Sequence, residues 1–167
     1  MMLSYMPTYL SVELNLSETL SFISSSIALA AYIMFVFLMG YLSDRHGRKT
    51  MLVSASVLFI VLAVPLFQIL GHGHFWAIVL VQIAFGALLA MNDGTLPSFL
   101  AEIFPTPVRY SGFALSFNTG NALMGGTAPL VSTWLISLTG NKLAPAWYLM
   151  AIALLALVAM LLSHETF

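Results

Sequence analysis

The sequence predicts an all-α polytopic membrane protein. Of its 167 residues, 60% are hydrophobic and only 7% are charged, which is far from the composition of a soluble domain. The mean hydropathy is +1.00. Asp, Glu, Lys and Arg are absent from four long runs, 19–43, 50–92, 110–141 and 143–164. So few charges cannot cover the surface of a soluble core, and we expect lipid to surround most of the chain.

Five complete spans fit these runs, because about 20 apolar residues cross a hydrocarbon core of about 30 Å. The run 50–92 is too long for one span, and the polar "GHGH" at 71–74 divides it. The predicted spans are about 20–42, 50–70, 75–96, 110–138 and 143–163. We expect them to form a single transmembrane bundle over residues 1–167.

An apolar segment at residues 1–12 precedes the first complete span. A helix of this length reaches only about 18 Å, which is too short to cross a bilayer. We interpret it as the last part of a truncated span. A re-entrant or interfacial segment is the alternative.

Lysine and arginine are distributed unequally between the predicted loops. The loops 43–49 and 97–109 lie on one side of the membrane. They carry four of the five basic residues, Arg45, Arg48, Lys49 and Arg109. The loops on the other side carry only Lys142. The positive-inside rule therefore places the first pair of loops, and with them the C-terminus, in the cytoplasm.

Other function classes find little support in the sequence. A net charge of −1 without a basic patch argues against a nucleic-acid partner. No nucleophile–base pair, phosphate loop or pair of catalytic carboxylates is present, so we predict no enzyme. His72 and His74 lack a nearby carboxylate or thiolate. This favours an exposed turn over a metal site.

The predicted loop after the first complete span contains "GYLSDRHGRKT", residues 40–50. Gly40 allows a close helix contact, and Gly47 allows the tight turn of a short loop. Asp44 suits a helix N-terminus or an arginine across an interface. This stretch resembles the loop motif that follows the second and eighth spans in the major facilitator superfamily. The resemblance implies a cytoplasmic gate motif formed by Gly40, Asp44, Arg45, Gly47, Arg48 and Lys49.

A second stretch, "LAEIFPTPVRYSGFALSFNTGNALMGGTAPLVSTWL" at 100–135, is similar to the region around span eleven of the metabolite–proton symporter family. That family includes proline/betaine and citrate transporters. The resemblance implies the C-terminal half of a twelve-span major facilitator fold, a six-helix bundle with its first helix truncated. It also implies a location in the bacterial inner membrane.

The function that this resemblance implies is symport of a small polar metabolite, such as proline/betaine or an organic acid, with the proton gradient as energy source and no cofactor. Such transporters are two bundles around a site at their interface. The expected partners are therefore the lipid bilayer, the metabolite and the missing N-terminal six-span half. A non-transporting membrane fragment, either a gene remnant or a helix-association partner, is the alternative.

Polar and small residues recur every seven positions along the predicted span 110–138, so we expect them to share one helix face. They are Ser111, Asn118, Gly125 and Ser132. Asn121 lies one turn from Asn118, and Pro129 with Gly125–Gly126 weakens the helix near its middle. One interpretation is a substrate-binding stripe that includes the two asparagines. In the other, these residues hold neighbouring helices together.

Asp93 and Tyr5 are two further candidates. Asp93 lies 18 residues past Phe75, about 27 Å along its span. A carboxylate at this depth serves to carry a coupling proton or to balance a cationic solute; alternatively, it lies at the cytoplasmic interface and caps a turn. Tyr5 is expected to line the substrate cavity, or else to anchor the membrane interface.

Glu102 and Arg109 complete the candidate gate. They lie in "EIFPTPVR", where Pro105 and Pro107 forbid a continuous helix. Because they share the cytoplasmic side with Asp44, we expect an ion-pair network that closes the inner side of the cavity. The alternative is that these charges only set the topology.

Overall fold

The computed structural model describes residues 2–163, and all regular secondary structure within that range is helical. The helices are α1 Met2–Val12, α2 Glu18–His46, α3 Arg48–Leu70, α4 Phe75–Asp93, α5 Leu96–Ile103, α6 Arg109–Gly120, α7 Thr127–Thr139 and α8 Ala144–Leu162. A 3₁₀ turn, Thr106–Val108, precedes α6, and a π-helical segment, Asn121–Gly126, joins α6 to α7. Most of the predicted cytoplasmic C-terminus lies outside the described residues.

Five helical segments are long and apolar enough to cross a membrane. They are Glu18–His46, Arg48–Leu70, Phe75–Ile103, Thr106–Thr139 and Ala144–Leu162. This confirms the all-α polytopic fold class. Two of these spans are compound, because α5 extends α4 and the π-helical segment links α6 to α7.

Helix packing centres on α3 and α4. α2 and α3 pack against α4, while α8 packs against α3 and α7. The seam between α2 and α4 depends on glycine: a Cβ on Gly94 would lie 2.8 Å from the carbonyl oxygen of Val36, and one on Gly86 would lie 3.5 Å from the Cβ of Tyr32. Gly40 lies on the same seam, and a Cβ on it would lie 3.5 Å from the carbonyl oxygen of Gly94. The two backbones are therefore in direct contact, as in helix pairs with small interfacial residues.

An aromatic cluster joins α1 to the bundle. The Tyr9 ring meets Phe67 edge-on at 5.5 Å between centroids, and Phe67 meets Phe85 at the same distance. The Tyr9 hydroxyl donates to the Lys142 carbonyl at 2.8 Å, and the Lys142 ammonium donates to the Glu13 carbonyl. Since Tyr9 is almost fully buried, α1 is a packed helix of the bundle.

Two predicted loops are much shorter than expected. The loop 43–49 is reduced to Gly47, whose φ of +90° turns the chain from α2 directly into α3. The prediction of a loop at 97–109 is wrong in its first half, because α5, Leu96–Ile103, is helical there. Pro97 lies in the first turn of that helix, where the missing N–H removes no hydrogen bond and the ring favours helix initiation. The break imposed by Pro105 and Pro107 falls between α5 and α6.

The charged residues separate between the two ends of the bundle. One end, which we call the basic end, carries the α2–α3 corner at Asp44–Lys49 together with Glu102 and Arg109. Lys142 lies at the opposite end beside the Glu13 carbonyl. The distribution agrees with the unequal loops expected from the sequence. The proposal that the basic end is cytoplasmic rests on the positive-inside rule.

Candidate functional site

The most informative polar contact inside the bundle joins Tyr32 of α2 to Asp93 of α4. The Tyr32 hydroxyl donates to Oδ2 of Asp93 at 2.8 Å. Both residues are partly buried. Within residues 2–163, no lysine, arginine or histidine side chain pairs with this carboxylate, since both ion pairs of the described chain involve Arg48.

The depth of this pair is set by the helices that carry it. Tyr32 lies 14 residues from each end of α2, which is about 21 Å in either direction. Asp93 is nine residues before Glu102, whose carboxylate contacts Arg48 at the basic end, so it lies about 13 Å inside that end. The helical segment continues beyond Asp93 through α5, and both interpretations of this carboxylate stay predictions.

Backbone packing on both sides of the pair fixes its position. Gly86 contacts Tyr32 on one side, and Gly94 contacts Val36 on the other. Thr95 follows in the turn between α4 and α5. It is fully buried, and its hydroxyl has no hydrogen-bond partner in the described part of the chain.

A cavity of about 230 Å³ lies between α1, α2 and α4; neither Tyr32 nor Asp93 is among its lining residues. Its lining is mostly apolar, with Ser25, Ser26 and Gln82 as polar groups. Gln82 donates to the Ser24 hydroxyl at 3.2 Å. The Ser25 hydroxyl is buried without a partner among residues 2–163. Gly86 lines the cavity and also contacts Tyr32, so the cavity reaches the part of the α2–α4 seam that carries Tyr32.

The polar residues predicted to share one face of the fourth complete span differ in their exposure. Ser111, Asn118 and Asn121 are exposed, whereas Ser132 is fully buried. No residue of α6 is buried, whereas α7 packs against α8. The π-helical segment Asn121–Gly126 also separates the two parts of this span, since each π turn uses extra residues and shifts the α-helical register. Gly125 lies inside this segment, where the sequence predicted a weak point. The substrate-binding role of the asparagines stays a prediction; their side chains make no hydrogen bond within residues 2–163.

Tyr5 lies elsewhere in the bundle. It is buried, its ring centroid is 6.0 Å from that of Tyr9, and it lines a pocket together with Thr133 of α7. The pocket lies between α1 and α7. Its expected role in a substrate cavity stays a prediction.

At the basic end, Arg48 connects three helices through two carboxylates. Its guanidinium lies 2.8 Å from Glu102 Oε1 and 3.3 Å from Asp44 Oδ1. Asp44 is in the last turn of α2, Arg48 begins α3 and Glu102 is on α5. The two ion pairs therefore connect the α2–α3 corner to the end of the third span. Part of the expected network is therefore present in the structure. Its role in a gate stays a prediction.

The other basic residues of that network have different partners. Arg45 lies over the Tyr41 ring, 4.8 Å from its centroid. Lys49 donates to the Ser163 carbonyl at 2.7 Å, which ties α3 to the end of α8. Arg109 donates to the Phe104 carbonyl at 3.3 Å. Among residues 2–163, neither Arg45 nor Arg109 forms an ion pair, and each has a local partner within five residues.

A helical bundle with an unpaired carboxylate in its interior is typical of membrane proteins that move protons or solutes. A profile of the Major Facilitator Superfamily matches residues 1–166. The chain belongs to this superfamily, as the motif at 40–50 indicated. No solved structure gave a significant match.

Named relatives come from several bacteria. The chain is 39% identical over 167 residues to the glycine betaine/proline/ectoine/pipecolic acid transporter OusA of Dickeya dadantii, covering 99% of this chain and 33% of the relative. It is 35% identical over 167 residues to the proline/betaine transporter of Escherichia coli K12, with the same coverage. A putative proline/betaine transporter of Staphylococcus haemolyticus is 32% identical over 161 residues, 96% of this chain and 34% of the relative. The chain thus spans about a third of the length of these relatives.

Proposed function

We propose that this chain is the C-terminal bundle of a secondary transporter that moves small zwitterions together with protons. The solutes in the names of its relatives are glycine betaine, proline, ectoine and pipecolic acid. Each combines a cationic nitrogen with a carboxylate. Transport requires the remainder of the protein, because a facilitator-type site lies between two bundles.

The observation that carries this proposal is the Tyr32–Asp93 pair inside the bundle. A carboxylate inside a membrane is costly, and such groups mark the paths of ions and polar solutes. Here the carboxylate is partly open, and a cavity of about 230 Å³ lies farther along the same seam between α2 and α4. The exposed polar residues of α6 and of the π-helical segment also favour a second bundle that covers them, since lipid would not solvate them.

The test uses a full-length protein, which we call the hybrid transporter, in which this chain replaces the matching third of the Dickeya dadantii relative. We expect the hybrid transporter to take up labelled glycine betaine in cells that lack their own carriers for it. The 167-residue chain expressed alone is expected to give background uptake. The unmodified relative is the positive control. If the hybrid transporter reaches the membrane in normal amounts but gives only background uptake, the proposal is wrong and the non-transporting alternative stands.

A further inference from the structure

We infer that Asp93, held in place by Tyr32, is the counter-charge for the cationic nitrogen of the transported zwitterion. The inference rests on the proposed function and assigns one end of the solute to this chain. The group that binds the solute carboxylate, and the group that carries the coupling proton, then lie in the part of the transporter outside this chain.

The charge of the Asp93 carboxylate is not balanced by any side chain of the described structure. Its one side-chain hydrogen bond comes from the neutral hydroxyl of Tyr32, and no basic side chain among residues 2–163 pairs with it. A partly open carboxylate inside the membrane suits a cationic group, and a desolvated cation in turn requires a counter-charge.

The site is also rigid and has an aromatic component. Direct backbone contact at Gly86 and Gly94 holds α2 against α4 on both sides of the pair. The carboxylate is therefore positioned before a solute arrives, which reduces the cost of binding. The Tyr32 ring lies next to the carboxylate, and an aromatic ring attracts methylated or secondary ammonium groups in addition to the charge.

The distribution of charge in the sequence indicates which bundle binds each end of the solute. Every lysine and arginine of this chain lies at 45–49, 109 or 142, outside the interior of the spans. The chain thus offers the solute a negative group in the interior of a span and no positive one. A solute carboxylate bound at the same depth must find its partner on the other bundle.

If Asp93 pairs with the cationic nitrogen, a different group must carry the coupling proton. In symport the solute and the proton cross together, and one carboxylate cannot pair with a cationic nitrogen while it holds the proton. Asp93 is the one acid in the interior of the spans of this chain. This assignment replaces the proton-carrying role that the sequence suggested for Asp93, and it places the proton elsewhere.

The experiment compares two competitors of glycine betaine uptake in the hybrid transporter. One is unlabelled glycine betaine, and the other is 3,3-dimethylbutanoate, in which carbon replaces the cationic nitrogen without changing the shape. We expect the unmodified hybrid transporter to prefer glycine betaine by about tenfold or more, as buried charge pairs contribute at least this much. In Asp93→Asn the preference is lost, chiefly because glycine betaine binds more weakly. Asp93→Glu retains a preference, and Tyr32→Phe weakens it without abolishing it.

Glu18→Gln is the matched control, since it makes the same type of change at an exposed end of α2. It is expected to leave the preference unchanged. Equal inhibition by both competitors in the unmodified hybrid transporter would overturn the inference, even if Asp93→Asn does not fold. So would an Asp93→Asn variant that keeps the preference while its uptake no longer depends on the proton gradient, because Asp93 would then be the proton carrier. Absence of uptake by the unmodified hybrid transporter refutes the proposed function instead.

Discussion

The carbonyl oxygen of Val36 lies 2.8 Å from the position that a Cβ would occupy on Gly94. The α2 backbone therefore occupies the space that any side chain at residue 94 would need. The contact lies one residue after Asp93 and one turn after Tyr32, so the geometry of the polar pair depends on it.

Gly94→Ala is expected to destabilise the bundle by about 1–3 kcal/mol, because the added methyl group forces α2 away from α4. Thermal unfolding of the detergent-solubilised chain, followed by circular dichroism, measures the effect. Gly120→Ala is the control, since a Cβ there meets nothing within 4 Å. Equal melting temperatures for the two variants would show that the helices do not pack as closely as described.

The Arg48–Glu102 pair is expected to couple α3 to α5 more strongly than Arg48–Asp44 couples α3 to α2. The first distance is 2.8 Å and the second 3.3 Å, and the Asp44 side chain is 64% exposed against 39% for Glu102. Partly exposed pairs contribute about 0.2–1 kcal/mol. Double-mutant cycles with Arg48→Gln, Glu102→Gln and Asp44→Asn measure both couplings. A larger coupling to Asp44 would contradict the geometry at the basic end.

The gate role of the motif at 40–50 has its own test. Asp44→Asn in the hybrid transporter is expected to change both glycine betaine uptake and the accessibility of the basic end to hydrophilic thiol reagents. The reason is that Arg48 loses one of its two carboxylate partners. Unchanged uptake together with unchanged accessibility would reject the gate and leave the charges a purely topological role.

Asn118 and Ser132 are expected to differ in accessibility, because no residue of α6 is buried whereas α7 packs against α8. The chain has no cysteine, so single cysteines can be labelled selectively. In the chain alone, Asn118→Cys is expected to react with a small hydrophilic thiol reagent, and Ser132→Cys is expected to be protected in its buried position. Equal labelling of the two cysteines would contradict the packing of α7 described above.

The number of spans and the family could be predicted from the sequence, but most contacts of the candidate site could not. Uncharged runs reveal spans because the cost of charge in lipid is large, and Gly47 revealed the corner because few other residues adopt its φ. The α5 helix was missed because a proline in a first turn looks like a loop signal. The Tyr32–Asp93 hydrogen bond joins residues 61 positions apart. No spacing rule reaches across that separation, so only the packing of α2 on α4 reveals the pair.

The most direct test of the central proposal is the initial rate of labelled glycine betaine uptake by the hybrid transporter. We predict saturable uptake that depends on the proton gradient and is inhibited by proline and pipecolic acid, with background uptake by the chain alone. A hybrid transporter that is present in the membrane at the level of the unmodified relative, yet takes up no glycine betaine above background, would contradict it.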